Sequence, residues 1–124
     1  MHLRSIMKTD VVTTHGEETA EGALELMQMK GCHHLVVIGP NGIEGIISER
    51  DLGGPKGERV RAGRKVRDLM SSGCVTAAPE TTLREAAEIM RGRTIGCLPV
   101  LDDGKLCGIV TVSDLLAILA GGSE

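Results

Sequence analysis

Apolar and polar positions along this chain fall into blocks with two different periods. Ala20, Ala23, Leu24 and Met27 stand at i, i+3, i+4 and i+7, the spacing of one apolar helix face. This predicts a helix over residues 20–30, with Thr19 as N-cap and Gly31 as its stop. Residues 35–38 form a short apolar run, Gly39-Pro-Asn-Gly42 is a turn cluster, and residues 43–48 read as a second strand. A hairpin therefore follows the helix. Residues 5–7 read as a helical turn ahead of a strand at 11–13. Residues 50–52 read as the start of a helix that Gly53-Gly54-Pro55 cuts short.

The same order returns 63 residues later, the separation of Asp51 from Asp114. Val75-Thr76 takes the place of the first strand. Thr82-Leu-Arg-Glu85 is a capping box opening a helix over 83–91, with Leu83, Ala86, Ala87 and Met90 on its apolar face. Residues 98–101, Asp102-Asp103-Gly104-Lys105 and residues 106–111 form the second hairpin. Pro99 lacks an N–H, so its strand is expected at an edge or unpaired on that side. A last helix spans 115–120 and ends at Gly121-Gly122. Met7 and Met70, Glu17 and Glu80, Leu35 and Leu98, and Gly45 and Gly108 match at the same offset. The chain is thus an internal duplication of a β-α-β-β-α unit, an α/β (α+β) fold. The first copy covers residues 1–55, a basic linker 56–67 and the second copy 68–124. A copy of this size is near the lower limit for an independent core, so the copies are expected to pack together.

Composition narrows the function. The 124 residues are 41% hydrophobic and 25% charged, as in an ordinary globular chain. No apolar run approaches the roughly 20 residues needed to span a membrane, and no signal core follows Met1, so a cytoplasmic location is expected. A net charge of −3 and the absence of Phe, Tyr and Trp argue against nucleic-acid binding. Cys32, Cys74, Cys97 and Cys107 form no C-x-x-C pair and read as reduced, half-buried small residues. Cys32-His33-His34 is a poor chelator, because adjacent strand residues point to opposite faces, and no metal site is assigned. Met7, Met27, Met70 and Met90 read as core. The linker carries Lys56, Arg59, Arg61, Arg64, Lys65 and Arg67 against Glu58: a solvated connector, or a rim that attracts phosphate. No Ser-His-Asp spacing, zinc pattern or glycine-rich phosphate loop is present, so the chain is not expected to be an enzyme.

The chemistry lies in Gly45-Ile-Ile-Ser-Glu-Arg-Asp51 and Gly108-Ile-Val-Thr-Val-Ser-Asp114. Each places a hydroxyl and a carboxylate three residues apart where a strand turns into a helix. Such a pair can simply cap the helix. It can also accept hydrogen bonds from a ribose diol, with helix N–H groups nearby for phosphate. These two stretches, each preceded by a short apolar strand, resemble the cystathionine-β-synthase (CBS) domain, and two in tandem resemble a Bateman module. The resemblance covers residues 5–120. It implies two repeats packed about a pseudo-twofold axis, with clefts between them for adenosine-containing ligands: AMP, ADP or ATP first, NAD(H) or S-adenosylmethionine as alternatives, and no required cofactor. It implies ribose binding by Asp51 with Ser48 and by Asp114 with Thr111. It implies adenine contacts at Thr76, Ala77 and Ala78 for the first cleft and at Thr13, Thr14 and His15 for the second. Basic groups ahead of the second strand would meet phosphate. His33 and His34 stand there in the first copy, Gly96 and Cys97 in the second, so the Asp51 cleft is expected to take the more highly phosphorylated ligand. The resulting expectation is a non-catalytic sensor, homodimeric, acting on an unknown protein target. Its rivals are a constitutive structural or interaction dimer whose motifs only cap helices, and a metal-responsive protein.

Overall fold

The computed structural model describes residues 1–93 and 95–121. They form an α+β fold of two compact units. One runs continuously over Val12–Cys74; the other joins Met1–Val11 to the segment that begins at Val75.

In the continuous unit, β1 (Thr13–Thr14) is followed by α1 (Ala20–Lys30), β2 (His34–Gly39), β3 (Gly42–Ser48), α2 (Glu58–Arg61), α3 (Val66–Leu69) and β4 (Ser71–Ser72). The sheet order is β1-β2-β3-β4, with β1 parallel to β2 and the other pairs antiparallel. Helix α1 starts and stops as its sequence dictates. The Thr19 hydroxyl accepts from Gly22 N–H, and Gly31 closes the helix at φ 68°. Its four spaced apolar residues are all buried, packed on Leu35, Val37, Ile47, Leu52 and Val66.

The expected helix at residues 50–52 is instead a run of turns. Gly53 and Gly54 both take positive φ, which ends helical geometry, and the buried Arg61 side chain takes over the carbonyls so released. Its guanidinium donates to Leu52 O at 2.9 Å and to Gly54 O, while Glu21 Oε1 lies 3.0 Å from Nε without hydrogen-bond alignment. The basic segment is therefore built into the unit rather than solvated throughout: Val66 is fully buried, and Lys65 and Arg67 each reach Glu17 at 2.6 Å.

In the other unit, a 3₁₀ turn at Leu3–Ser5, displaced from the expected 5–7, precedes α4 (Leu83–Arg93), β5 (Cys97–Asp102), β6 (Lys105–Thr111) and α5 (Val112–Leu119). Thr82 and Glu85 make the predicted capping box, at 2.9 and 3.1 Å. Ala86 and Met90 are buried, but Ala87 is exposed. The strand expected at Val75-Thr76 reduces to a parallel bridge from Ala77 to Val100. Likewise, the first strand of the chain is Thr13–Thr14 rather than 11–13. Pro99 pairs with Ile109 in the hairpin and turns its carbonyl outward to Ala77 N–H, so its missing N–H faces away from β6. Helix α5 begins at Val112, three residues before the expected start. Gly121 has φ 80°; Gly122, expected to end this helix with it, lies outside the described residues.

The two units repeat each other at the level of register. Thr14 pairs with Val37 and Ala77 with Val100; Ser71 pairs with Ile46 and Lys8 with Ile109. Both hairpins are irregular at the same step, between Val37 and Ile38 and between Val100 and Leu101. Leu3 and Val66, matched in sequence, are both fully buried. Leu3 packs with Ala86, Met90, Leu98, Val100, Val110 and Leu115. Residues ahead of the first copy thus complete the core of the second, and those ahead of the second complete the core of the first.

Candidate functional site

The two motif glycines are explained by the strands that cross them. A Cβ on Gly45 would stand 2.2 Å from Ser71 O, and one on Gly108 2.5 Å from Met7 Sδ and 3.1 Å from Lys8 O. Only glycine lets the leading segment lie this close to the hairpin. Each motif then turns at a reciprocal box. Ser48 N–H donates to Asp51 Oδ2 at 2.9 Å, and Asp51 N–H donates to Ser48 Oγ at 3.0 Å. Thr111 N–H donates to Asp114 Oδ2 at 2.8 Å, and Asp114 N–H donates to Thr111 Oγ1 at 3.3 Å. The capping role is therefore present at both corners.

Capping uses only one oxygen of each carboxylate. In the second copy the other oxygen, Asp114 Oδ1, lies 3.5 Å from Lys8 Nζ. Asp114 also lines a cleft of about 310 Å³, with Met1, Ser5, Ile6, Ala117 and Ile118. That volume is at the small end of the roughly 300–1,000 Å³ usual for small-molecule sites. The walls are mainly aliphatic, so a flat ligand would lie against methyl groups rather than a ring.

The comparisons fix what this corner belongs to. The CBS-domain profile matches residues 3–52 and 66–121. The chain belongs to the CBS-domain family. A CBS domain-containing protein of Dictyostelium discoideum is 33% identical over 131 residues, covering 94% of this chain and 90% of that protein. The CBS domain pair of protein MJ0100, solved with 5-methylthioadenosine and S-adenosyl-L-methionine, shares the fold at a TM-score of 0.85 and 23% identity, covering 100% of this chain and 98% of that one. CBSX2, solved with AMP, matches at a TM-score of 0.78 and 26% identity, covering 99% of this chain and 98% of its own. A homoserine O-acetyltransferase of Methanohalophilus mahii is 30% identical over 96% of this chain, which spans only 24% of that enzyme.

The expected site residues of the CBS repeats distribute as follows. His34 lies opposite Ser48 in the β2–β3 ladder, at the mouth of the first corner. His33 is exposed, with Nδ1 3.5 Å from Glu49 Oε2. Cys97 is buried opposite Thr111, and Gly96 O accepts from Val112 N–H at 3.0 Å. Thr14 is buried in β1 beside Thr13, and His15 Nδ1 is 3.2 Å from Ile38 O. Thr76 is half-buried. Ala77 N–H donates to Pro99 O, its carbonyl accepts from Leu101, and Ala78 N–H donates to Thr81 Oγ1 at 3.0 Å, so those backbone groups are already engaged. Sequence reasoning missed Lys8, Met1, Ser5 and Ile6. Their match to residues 64–71 was legible, but the offset alone does not say on which copy a leading segment packs. Among the described residues, no group of three or more His, Cys, Asp or Glu could hold a metal ion. No helix among them is long and apolar enough to cross a membrane.

Proposed function

We propose that this CBS pair is a non-catalytic regulatory module that binds adenosine-containing ligands and signals to a partner protein. AMP, ADP and ATP are the first candidates; NAD(H) and S-adenosylmethionine follow. The observation that carries the reading is Asp114, which lines a cleft with aliphatic neighbours while its capping box uses only one of its two carboxylate oxygens. A carboxylate so placed accepts from a ribose hydroxyl while its partner oxygen still holds the turn. Asp51 with Ser48 offers the same pair in the first copy, with His33 and His34 beside it. Thr13, Thr14, His15, Thr76, Ala77 and Ala78 are proposed to flank adenine, Ala77 and Ala78 through their methyl groups because their N–H groups are bonded elsewhere, and Gly96 and Cys97 to form the edge of the second site. The AMP complex of CBSX2 supports the ligand class.

Signalling requires that ligand bind two arrangements with unequal affinity. Val112, Leu116 and Leu119 leave an apolar stripe exposed on α5, which supports a homodimer, measurable by light scattering; a cytoplasmic location is proposed with it. The test of function is a thermal-shift panel of AMP, ADP, ATP, NADH and S-adenosylmethionine. A true ligand at a hundredfold excess over Kd adds about 2.7 kcal/mol of stability. The shift is expected to be lost in Asp114→Ala or Asp51→Ala. Stability that no nucleotide changes would favour the constitutive interaction dimer.

A further inference from the structure

We propose that Lys8 sets the specificity of the Asp114 cleft, which takes nucleosides bearing an anionic group at the 5′ carbon in preference to bare or sulfonium-bearing nucleosides. This rests on the nucleotide reading above and adds the charge that the ligand must carry.

Lys8 is rooted firmly by its backbone and largely exposed along its side chain. Its backbone exchanges two hydrogen bonds with Ile109, at 3.0 and 2.9 Å, beside the strand that ends in Thr111. Its side chain is 62% exposed, while that of Asp114 is 14% exposed. The ammonium sits 3.5 Å from Asp114 Oδ1, beyond a well-formed hydrogen bond. The pair is loose at this distance although Asp114 is largely covered, so a ribose hydroxyl can compete with the ammonium for Oδ1. The four-carbon stem then leaves the ammonium beside the bound ribose, where it meets the 5′ substituent of the same sugar. A phosphate there is attracted and a sulfonium is repelled. Ser5, three residues earlier, lines the cleft itself beside Asp114.

The first copy lacks this cation. Its matched register position, opposite Ile46, is Ser71. There, His33 Nδ1 lies 3.5 Å from the Glu49 carboxylate. On this proposal the stronger phosphate preference belongs to the Asp114 cleft, the opposite of the order expected from His33 and His34.

Calorimetric titration of the full chain with AMP, adenosine and S-adenosylmethionine tests this. Wild type is expected to hold AMP about tenfold tighter than adenosine in one class of site, an advantage that salt reduces. Lys8→Met is expected to remove that advantage, leave adenosine unchanged and improve S-adenosylmethionine. Lys8→Arg is expected to keep it. AMP affinity unchanged in Lys8→Met, or AMP and adenosine weakened together, overturns the assignment. Wild type that binds both equally overturns the assignment while leaving the nucleotide reading intact; wild type that binds none of the three overturns both.

Discussion

Arg67 donates to Glu17 across 2.6 Å, and at the matched positions of the other copy Arg4 donates to Glu80 across 2.5 Å. In each case the arginine comes from the segment that precedes one repeat, and the glutamate precedes the helix on which that segment packs. The second pair lacks the lysine that accompanies the first: Lys65 corresponds to His2.

These carboxyls predict an acid response. The bond from Lys65, then the charge of Arg67, holds Glu17 below its ordinary value of 4.5. The bond and charge of Arg4 do the same for Glu80. A depressed folded value means that the contribution is complete above the unfolded value and is lost as pH falls through the folded one. Melting temperature followed downward from neutral pH should therefore fall less steeply below about pH 4.5 in the Glu17→Gln, Glu80→Gln double variant. Both groups are fully exposed, so added salt should shrink the difference.

The motif glycines should not be equivalent. In Gly45→Ala the new methyl meets the Ser71 carbonyl, which is backbone; in Gly108→Ala it meets first the flexible end of Met7. Both should destabilise, within the roughly 1–3 kcal/mol of overpacking, with Gly45→Ala at the upper end. Urea unfolding of the two variants checks the order; equal losses would refute it.

Arg61 should be the costliest charge to remove. Arg61→Ala leaves the carbonyls of Leu52 and Gly54 without their donor, at about 1–3 kcal/mol for each buried group. Arg61→Lys should recover only part of this, because one ammonium cannot reproduce the fork. Glu21→Gln should cost far less, since Glu21 is half-exposed. Chemical denaturation of the three variants decides this.

Capping and ligand binding can be separated. Thr82→Ala and Thr111→Ala each remove one half of a capping box and should each cost about 1 kcal/mol. Only Thr111→Ala should also weaken nucleotide binding, because Thr82 caps α4 while the cleft is lined from α5 and the N-terminal turn. Parallel losses of affinity in both variants would make Thr111 a cap and nothing more.

Much of this fold was legible because its signals are local. Thr19, Gly31 and the Thr82–Glu85 box fixed two helices through side chains within four residues of the ends they cap. The 63-residue offset revealed the duplication and the paired motifs. What stayed hidden depends on contacts distant in sequence. Nothing local says that the carbonyls of residues 52–54 go to a guanidinium at 61, so a short helix was expected where turns occur. Val75-Thr76 has strand composition, but the bridge to β5 forms at Ala77. Lys8 beside Asp114 could not be read at all, since 106 positions separate the two and the pairing depends on which copy the leading segment joins.

Leu3 illustrates a constraint on how this molecule comes into being. Its side chain is fully enclosed by residues from Ala86 onward, while Val12–Cys74 forms its own unit in between. During synthesis the continuous unit can close as soon as Cys74 has emerged, but the first eleven residues must wait for β5 and β6. The nascent chain thus carries an unsheltered leucine until those strands have emerged. A cut between the sequence repeats would leave each fragment with a core missing its lid and a loose end with nothing to cover.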